Sequence, residues 1–200
     1  MRNYEVMYGT IPTKNIEINK AELAQRLNVG RDFEHSVINW CINEFEKVVE
    51  YKYVYTYVPV KTEGDNICNL GFMKVESKNL SEILKGCNMA VVFAVTTGIG
   101  VDRLLNKFSI ASQSRHFITD AIGSAAAESL CDYIDDMLRK GNKPHRFSPG
   151  YGDLSLDVQP KILDLLCAGK NVGITLNKSL LMTPVKSITA IMGVCNEKNT

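Results

Sequence analysis

Residues 89–95 read Met-Ala-Val-Val-Phe-Ala-Val, an apolar run without the alternation of a half-exposed strand. Such a run is typical of a strand that is covered on both faces. It therefore predicts a central strand with a packed layer on each side. The run is far shorter than the roughly 20 apolar residues that a membrane-spanning helix needs, and the sequence has no longer one. A membrane partner is not expected.

Further strands are predicted along the chain. Residues 51–58 alternate with a two-residue period, are rich in β-forming side chains and place four tyrosines on one side. Those rings could pack with their hydroxyl groups at the rim, or they could stack on a ligand. Pro59 marks the end of this strand or an edge position. A glycine-containing turn should then lead into a paired strand at residues 67–75. Two more strands are predicted near the end of the chain, at residues 172–176 and 187–194.

Helices are predicted from the spacing of apolar side chains and from capping residues. Asn19 and Glu22 have the spacing of a capping box, which should open a short helix ending at Gly30. The longest helix should cover residues 115–140, with Gly141 just beyond its end. Other helices are predicted over residues 32–50, 77–85, 100–108 and 157–167, the last capped by Asp157 with Pro160 in its first turn.

The order of these elements is mixed, with helices between some strands and hairpins between others. This order favours an α+β domain around a largely antiparallel sheet over a doubly wound parallel sheet. A chain of 200 residues fits one domain. We therefore predict a single domain over residues 1–200, with a helical N-terminal part at 1–50 and a sheet and ligand-binding part at 51–195.

Composition excludes several function classes. The net charge of +1 creates no large field, so a nucleic-acid partner is not expected. The six cysteines form no Cys-x-x-Cys pair and the three histidines show no metal-ligand spacing, so we predict neither a disulfide framework nor a protein-bound metal. The first residues lack the apolar stretch of a secretion signal, which predicts a cytoplasmic protein.

Gly98 and Gly100 lie between the apolar strand and a helix. Glycines at this spacing can expose backbone N–H groups to an anion. A dinucleotide site is not expected, because the third glycine and a suitably placed acidic residue are missing. We interpret the pair as a strand-to-helix turn, with ligand contact as the alternative.

Residues 146–153 read Arg-Phe-Ser-Pro-Gly-Tyr-Gly-Asp and follow the longest predicted helix. Glycines lose much backbone freedom on folding, so a loop of this composition is costly to order and adds little to a core. A fixed cation and an aromatic ring beside two glycines suit a small ligand that carries a carboxylate and a flat heterocycle. The alternative is an ordinary turn with a surface arginine.

The spacing Arg-x-x-x-Gly-Tyr, followed by a helix and an apolar strand, resembles the S-adenosylmethionine-binding signature of the activation domain of vitamin B12-dependent methionine synthase. Residues 174–191 are similar to a second segment of that family, including the Ser-hydrophobic-x-Met-x-Pro pattern at 179–184. The resemblance covers residues 16–194 and is strongest to the stand-alone, short version of the domain. It implies a bent antiparallel sheet with helices packed around it.

The resemblance also implies a function. The family binds S-adenosylmethionine over a corrin and supports the reductive methylation of inactive cob(II)alamin, with electrons from a flavodoxin- or ferredoxin-type donor. This chain would do so as an accessory subunit, for cobalamin carried by a methionine synthase or another corrinoid protein. Whether it counts as an enzyme stays open, since no catalytic side-chain constellation is visible. The alternatives are a non-catalytic S-adenosylmethionine-binding or corrinoid-docking module, and a fold that serves assembly only.

Five site residues follow from the resemblance. Arg146 would pair with the ligand carboxylate, the backbone around Gly150 and Tyr151 would approach the adenosyl group, and Glu128 would favour the cationic end. Asp153 could replace a lost carboxylate contact, or it could simply cap the turn. The sequence departs from the longer enzymes in several places: residues 152–155 replace Pro-Ala-Cys-Pro, Ser124 replaces an aspartate, Lys178 replaces a glutamate, and the C-terminal tyrosine pair and the N-terminal aspartate have no match.

Overall fold

The computed structural model describes residues 4–30, 36–138 and 146–194. In chain order, the elements are β1 (Val6–Ile11), a short 3-10 helix (Thr13–Asn15), α1 (Lys20–Leu27), α2 (Ser36–Glu46), β2 (Tyr51–Pro59), β3 (Lys61–Glu63), β4 (Ile67–Asn69), β5 (Lys74–Glu76), α3 (Lys78–Ile83), β6 (Met89–Thr96), α4 (Ile99–Ala111), α5 (Gln113–Leu138), a second 3-10 helix (Leu156–Val158), α6 (Gln159–Leu165), α7 (Ala168–Asn171), β7 (Thr175–Leu176), β8 (Met182–Thr183) and β9 (Ser187–Val194).

The main sheet has four antiparallel strands in the order β1-β2-β6-β9. Strand β6 lies inside the sheet, where Phe93 is opposite Tyr55 of β2 and Ala190 of β9. Every residue of β6 after Met89 is buried, which confirms the prediction of a central strand covered on both faces. Smaller antiparallel sheets are formed by β3-β4-β5 and by β7-β8.

Two hydrophobic cores lie on opposite faces of this sheet. Val91, Phe93 and Val95 belong to the core that α1, α2, α4 and α5 cover, whereas Val92 and Ala94 belong to the core that includes residues of β4, α3 and α6. This alternation follows from the opposite orientation of successive side chains in a strand. The predicted α+β class, with an antiparallel sheet and helices packed around it, is confirmed.

The four tyrosines of β2 pack on the helical side of the sheet. Tyr51 is buried in that core, and Tyr53, Tyr55 and Tyr57 pack against it. The ring centroids of Tyr53 and Tyr55 lie 6.1 Å apart, and those of Tyr55 and Tyr57 lie 5.9 Å apart. These contacts support the packing interpretation of the tyrosine row.

The N-terminal part differs from its prediction. Residues 1–50 were expected to be helical, but they also contribute β1, which pairs with β2. Asn19 caps α1 as predicted, accepting from the N–H groups of Ala21 and Glu22. Glu22 does not complete the box: it binds Arg26, and the Asn19 N–H donates to Ser129 Oγ instead.

Several predicted boundaries are also wrong. Helix α1 ends at Leu27 rather than Gly30, because Asn28 already adopts the left-handed conformation with φ of 54°. The strand predicted over 67–75 is divided into β4 and β5 by a turn at Gly71, where φ is 77°. Three other elements are shorter than expected: α2 ends at Glu46, α6 ends at Leu165 and β7 covers only Thr175–Leu176.

The cap expected from Asp157 is made by Ser155, whose Oγ accepts from the Asp157 N–H at the start of the second 3-10 helix. Pro160 does lie in the first turn of α6, as predicted. The predicted helix end at residues 140 and 141 lies outside the described residues.

The described cysteines include both free and disulfide-bonded residues. Cys41, Cys68, Cys131 and Cys167 are free. Cys87 is disulfide-bonded, so the expectation of no disulfide framework is not met at this cysteine. Within the described ranges, no helix is both long enough and apolar enough to cross a bilayer.

Candidate functional site

The loop that follows α5 extends the main sheet at its open edge. Phe147 and Ile191 of β9 exchange two backbone hydrogen bonds, each of 2.9 Å. The chain then turns back, and the Gly150 N–H donates to the Leu154 carbonyl at 2.8 Å. Gly150 has φ of 88° and Gly152 has φ of 53°, a region that favours glycine, which explains why the loop contains two. The turn is therefore held against β9 at the surface.

A cavity of about 600 Å³ lies between this loop, β9 and the segment around β8. This volume is typical of sites for small molecules, and the walls are mainly apolar with a few polar groups. The lining residues are Glu128, Arg146, Phe147, Ser148, Pro149, Tyr151, Leu156, Gln159, Leu180, Leu181, Met182, Val185, Ser187, Ile188 and Thr189.

Arg146 joins the loop to α5 at one side of this cavity. Its Nη2 lies 2.9 Å from Glu128 Oε2, and its Nη1 lies 2.5 Å from Asp132 Oδ1 and 3.6 Å from Asp135 Oδ2. The Arg146 side chain is only 22% exposed. Burial opposes its charged form, but Asp132 and Glu128 outweigh that effect and raise the pKa of the guanidinium above its usual value. A fixed cation and a carboxylate therefore lie side by side on the cavity wall.

The structure brings together three of the five predicted site residues. Arg146, Glu128 and Tyr151 all line the cavity, and the Tyr151 side chain is 66% exposed at its rim. Gly150 lies at the turn beside Tyr151 and sets the direction of the loop. Glu128 follows three alanines on α5. Its side chain contacts Arg146 and lines the cavity rather than entering the core.

Asp153 lies apart from the other four. It is not among the residues that line the cavity; instead, its carboxylate accepts from Ser77 Oγ at 2.5 Å, from the Lys78 N–H at 2.6 Å and from the Asn79 N–H at 3.3 Å. These groups form the N-terminus of α3. Of the two roles left open by the sequence, the geometry supports a cap, although the cap is on α3 rather than on its own turn.

The Asp153 cap should make stability depend on pH. The hydrogen bond from Ser77, with those from the Lys78 and Asn79 N–H groups, lowers the pKa of Asp153. A folded pKa below the unfolded value stabilises the fold at neutral pH, and this contribution is lost as the pH falls below about 4. We expect Asp153→Asn to unfold at lower urea than wild type at pH 7, and we expect this difference in urea midpoint to shrink progressively as the pH falls below about 4.

Asp65→Asn, in an exposed turn, is the control for this comparison. Ligand affinity should not change in Asp153→Asn, because the carboxylate contacts the N-terminus of α3 and does not line the cavity. If the difference in urea midpoint between wild type and Asp153→Asn stays constant from pH 7 to pH 3, the charge of the Asp153 carboxylate does not stabilise the cap.

Several residues at the cavity were not predicted from the sequence. The Asp102 carboxylate of α4 accepts from the Val185 N–H at 3.1 Å and so fixes the wall before β9. Lys186 Nζ binds Asp120 Oδ1 at 2.7 Å and Ser124 Oγ at 2.8 Å, which ties the same wall to α5. Lys178 is exposed in the turn between β7 and β8 and does not belong to the lining.

Among solved structures, this chain is similar to the crystal structure of the MetH reactivation domain bound to AdoHcy. The TM-score is 0.71 at 14% sequence identity, and the match covers 98% of this chain and 80% of that chain. The chain has the fold of the MetH reactivation domain. The resemblance predicted from the Arg-x-x-x-Gly-Tyr loop is thus confirmed at the level of the fold. No protein-family model matches the sequence, and no curated protein matches it.

Proposed function

We propose that this chain binds S-adenosylmethionine in the cavity beside Arg146 and supports the reductive methylation of cob(II)alamin on another protein. That protein would be a B12-dependent methionine synthase or a related corrinoid protein, in the cytoplasm. The observation that carries the proposal is the Arg146–Glu128 pair on a cavity of suitable size, within the fold of a domain whose crystal structure contains AdoHcy.

The charged wall of the cavity fits the amino-acid end of the ligand. A guanidinium has five N–H donors, and the contacts of Arg146 with Glu128 and Asp132 leave some of them for a ligand carboxylate. Glu128 can accept from the ligand ammonium group or stabilise the sulfonium charge. Opposite charges held side by side complement a zwitterion better than they complement a simple anion or cation.

The rest of the cavity fits the nucleoside end. Phe147, Pro149 and Leu156 provide apolar surface for a flat base. Tyr151 lies at the rim, where its ring can cover the base or the ribose. Gly150 lets the backbone bend there without a side chain that would fill the approach. When bound, S-adenosylmethionine supplies an electrophilic methyl group, so the protein needs to bind and orient rather than to provide a nucleophile.

The rim of the cavity is open toward a protein partner. Tyr151, Leu181 and Val185 are large apolar side chains that remain exposed around the cavity. Exposed apolar side chains beside a ligand site favour contact with another macromolecule, here the cobalamin carrier. A flavodoxin- or ferredoxin-type protein would supply the electron.

Calorimetric titration of the whole chain with S-adenosylmethionine and with S-adenosylhomocysteine tests binding. Methylation is tested by adding a cob(II)alamin carrier and a reductant and recording the absorbance of methylcobalamin. Both signals together support the proposal. Binding without methylation would leave the non-catalytic module, and absence of binding would contradict the proposal and leave a role in assembly.

A matched pair of glycine variants separates the loop's role in binding from its cost in folding. Gly150 and Gly86 have φ of 88° and 80°, and a Cβ atom at either position meets no close contact. Alanine at either position should cost about 1 kcal/mol of stability, because of the left-handed backbone. We expect only Gly150→Ala to weaken S-adenosylmethionine binding, by about fivefold or more, in the same titration. Equal affinities in the two variants would contradict the role assigned to the bend.

A further inference from the structure

Gln159, the first residue of α6, carries a buried amide on the floor of the cavity. The residue is only 3% exposed, and it belongs to the cavity lining. Its Oε1 accepts from Thr189 Oγ1 at 2.8 Å, but its Nε2 donates to no atom of the described chain. Nε2 is not among the fully enclosed polar atoms that lack a partner, so it is accessible from the cavity that the residue lines. This donor is therefore available to an acceptor inside the cavity.

The backbone of β9 adds a second polar feature at the same place. Both backbone groups of Ile191 point outward, because they bind Phe147 on the open side of the sheet. Backbone groups alternate along a strand, so those of Thr189 point to the same side, where the cavity lies. Thr189 itself is buried and lines the cavity. The Gln159 amide thus lies beside an open stretch of sheet edge with its own donor and acceptor.

This neutral polar corner is separated from the charged wall. Antiparallel pairing of Phe147 with Ile191 places Arg146 next to Met192, three strand positions away from Thr189. At the usual rise of a strand, this separation is about 10 Å. Apolar side chains, including Phe147 and Pro149, lie between the two ends. One end suits a zwitterion, and the other suits an uncharged heterocycle with hydrogen-bonding edges.

We propose that Gln159 recognises the base of the ligand, with its Nε2–H donating a hydrogen bond to one ring nitrogen of adenine. Thr189 holds the amide in place by donating to its oxygen. The inference rests on the proposed function, since it gives the direction in which S-adenosylmethionine lies in its site: amino-acid end at Arg146 and adenine at Gln159. Gln159 is accordingly a specificity-determining residue for the nucleobase.

The test combines a substitution in the protein with single-atom changes in the ligand. S-Adenosylhomocysteine and its 1-deaza, 3-deaza and 7-deaza analogues are titrated into wild type and into Gln159→Leu. With wild type, we expect one of the three analogues to bind about tenfold more weakly than the parent compound. With Gln159→Leu, the parent should bind about tenfold more weakly, and the same analogue should show no further loss.

Thr189→Val distinguishes recognition of the base by Gln159 from a purely structural role of the Gln159–Thr189 hydrogen bond. It removes the hydroxyl that holds Gln159 but keeps the amide, so discrimination against the sensitive analogue should persist. If Gln159→Leu does not fold, the analogue series on wild type and Thr189→Val still decides the question.

The outcomes are distinguishable from those of the proposed function. Wild type that binds the parent and all three deaza analogues equally overturns the role of Gln159 but leaves ligand binding intact. The same holds if Gln159→Leu retains both the parent affinity and the analogue preference. Wild type that does not bind the parent compound overturns the proposed function and this inference together.

Discussion

Arg146→Ala should lower both the stability of this protein and its affinity for S-adenosylmethionine. The arginine lies among Glu128, Asp132 and Asp135, and the Asp135 side chain is only 7% exposed. Removing the arginine takes this cation away from the buried Asp135, whereas Asp132 is 58% exposed and Glu128 is 34% exposed, so water screens part of their repulsion. The expected cost is therefore about 1–3 kcal/mol. We expect a correspondingly lower urea midpoint by circular dichroism.

The effect on binding has a separate cause. A forked contact between a guanidinium and a carboxylate is stronger and more directional than one with an ammonium group. Its loss should weaken binding by at least about 1.5–3 kcal/mol, or roughly tenfold to a hundredfold. Arg146→Lys keeps the charge but not the fork, so it should recover stability more completely than affinity. Calorimetric titration at a temperature where each variant is folded measures the affinity, and urea unfolding measures the stability.

Two further variants keep these effects apart. Arg146→Ala combined with Asp132→Asn removes one of the stranded carboxylates and should regain part of the stability without regaining affinity. Arg26→Ala removes an exposed arginine from the Glu22 pair on α1 and should change neither property by much. Affinity that is unchanged in Arg146→Ala, once folding is verified, would remove the arginine from the ligand site.

The sequence could predict the features that depend on local composition. The apolar run of β6, the alternation of β2 and the Asn19 cap each carry their signal within a few residues, and the structure contains all three. The composition of residues 146–153 indicated a ligand loop or an ordinary turn, and the family resemblance then assigned roles to Arg146 and Tyr151. Both lie on the cavity because Phe147 pairs with β9.

Features that depend on contacts between distant segments were not predictable. Strand β1 contains Gly9, which weakens the strand signal; a Cβ atom there would lie 2.9 Å from the Tyr53 hydroxyl, so the glycine reflects packing across strands. Asp153 caps a helix that lies 76 residues earlier, at Ser77. Gln159 has the sequence context of an ordinary helix start, and only the docking of α6 on β9 turns its amide toward Thr189.

Gly100→Ala should destabilise the protein strongly and weaken ligand binding indirectly. A Cβ atom at Gly100 would overlap the backbone carbonyl oxygen of Val48, which follows α2 and cannot rotate away. Gly98 is constrained mainly by its backbone, with φ of 85°, and a Cβ atom there would also lie 3.0 Å from the Glu50 Cβ. The two glycines thus let the start of α4 pack against the chain between α2 and β2, which supports the turn interpretation over an anion site.

The expected loss of stability for Gly100→Ala is about 2–3 kcal/mol, in the range of overpacked cores, and urea unfolding measures it. Binding should also weaken, because α4 carries Asp102, whose carboxylate holds the Val185 N–H at the cavity wall. Gly30→Ala is the matched control, since a Cβ atom there meets nothing within 4 Å. Full stability in Gly100→Ala would show that α4 can shift freely, and the link from this turn to the ligand site would then fail.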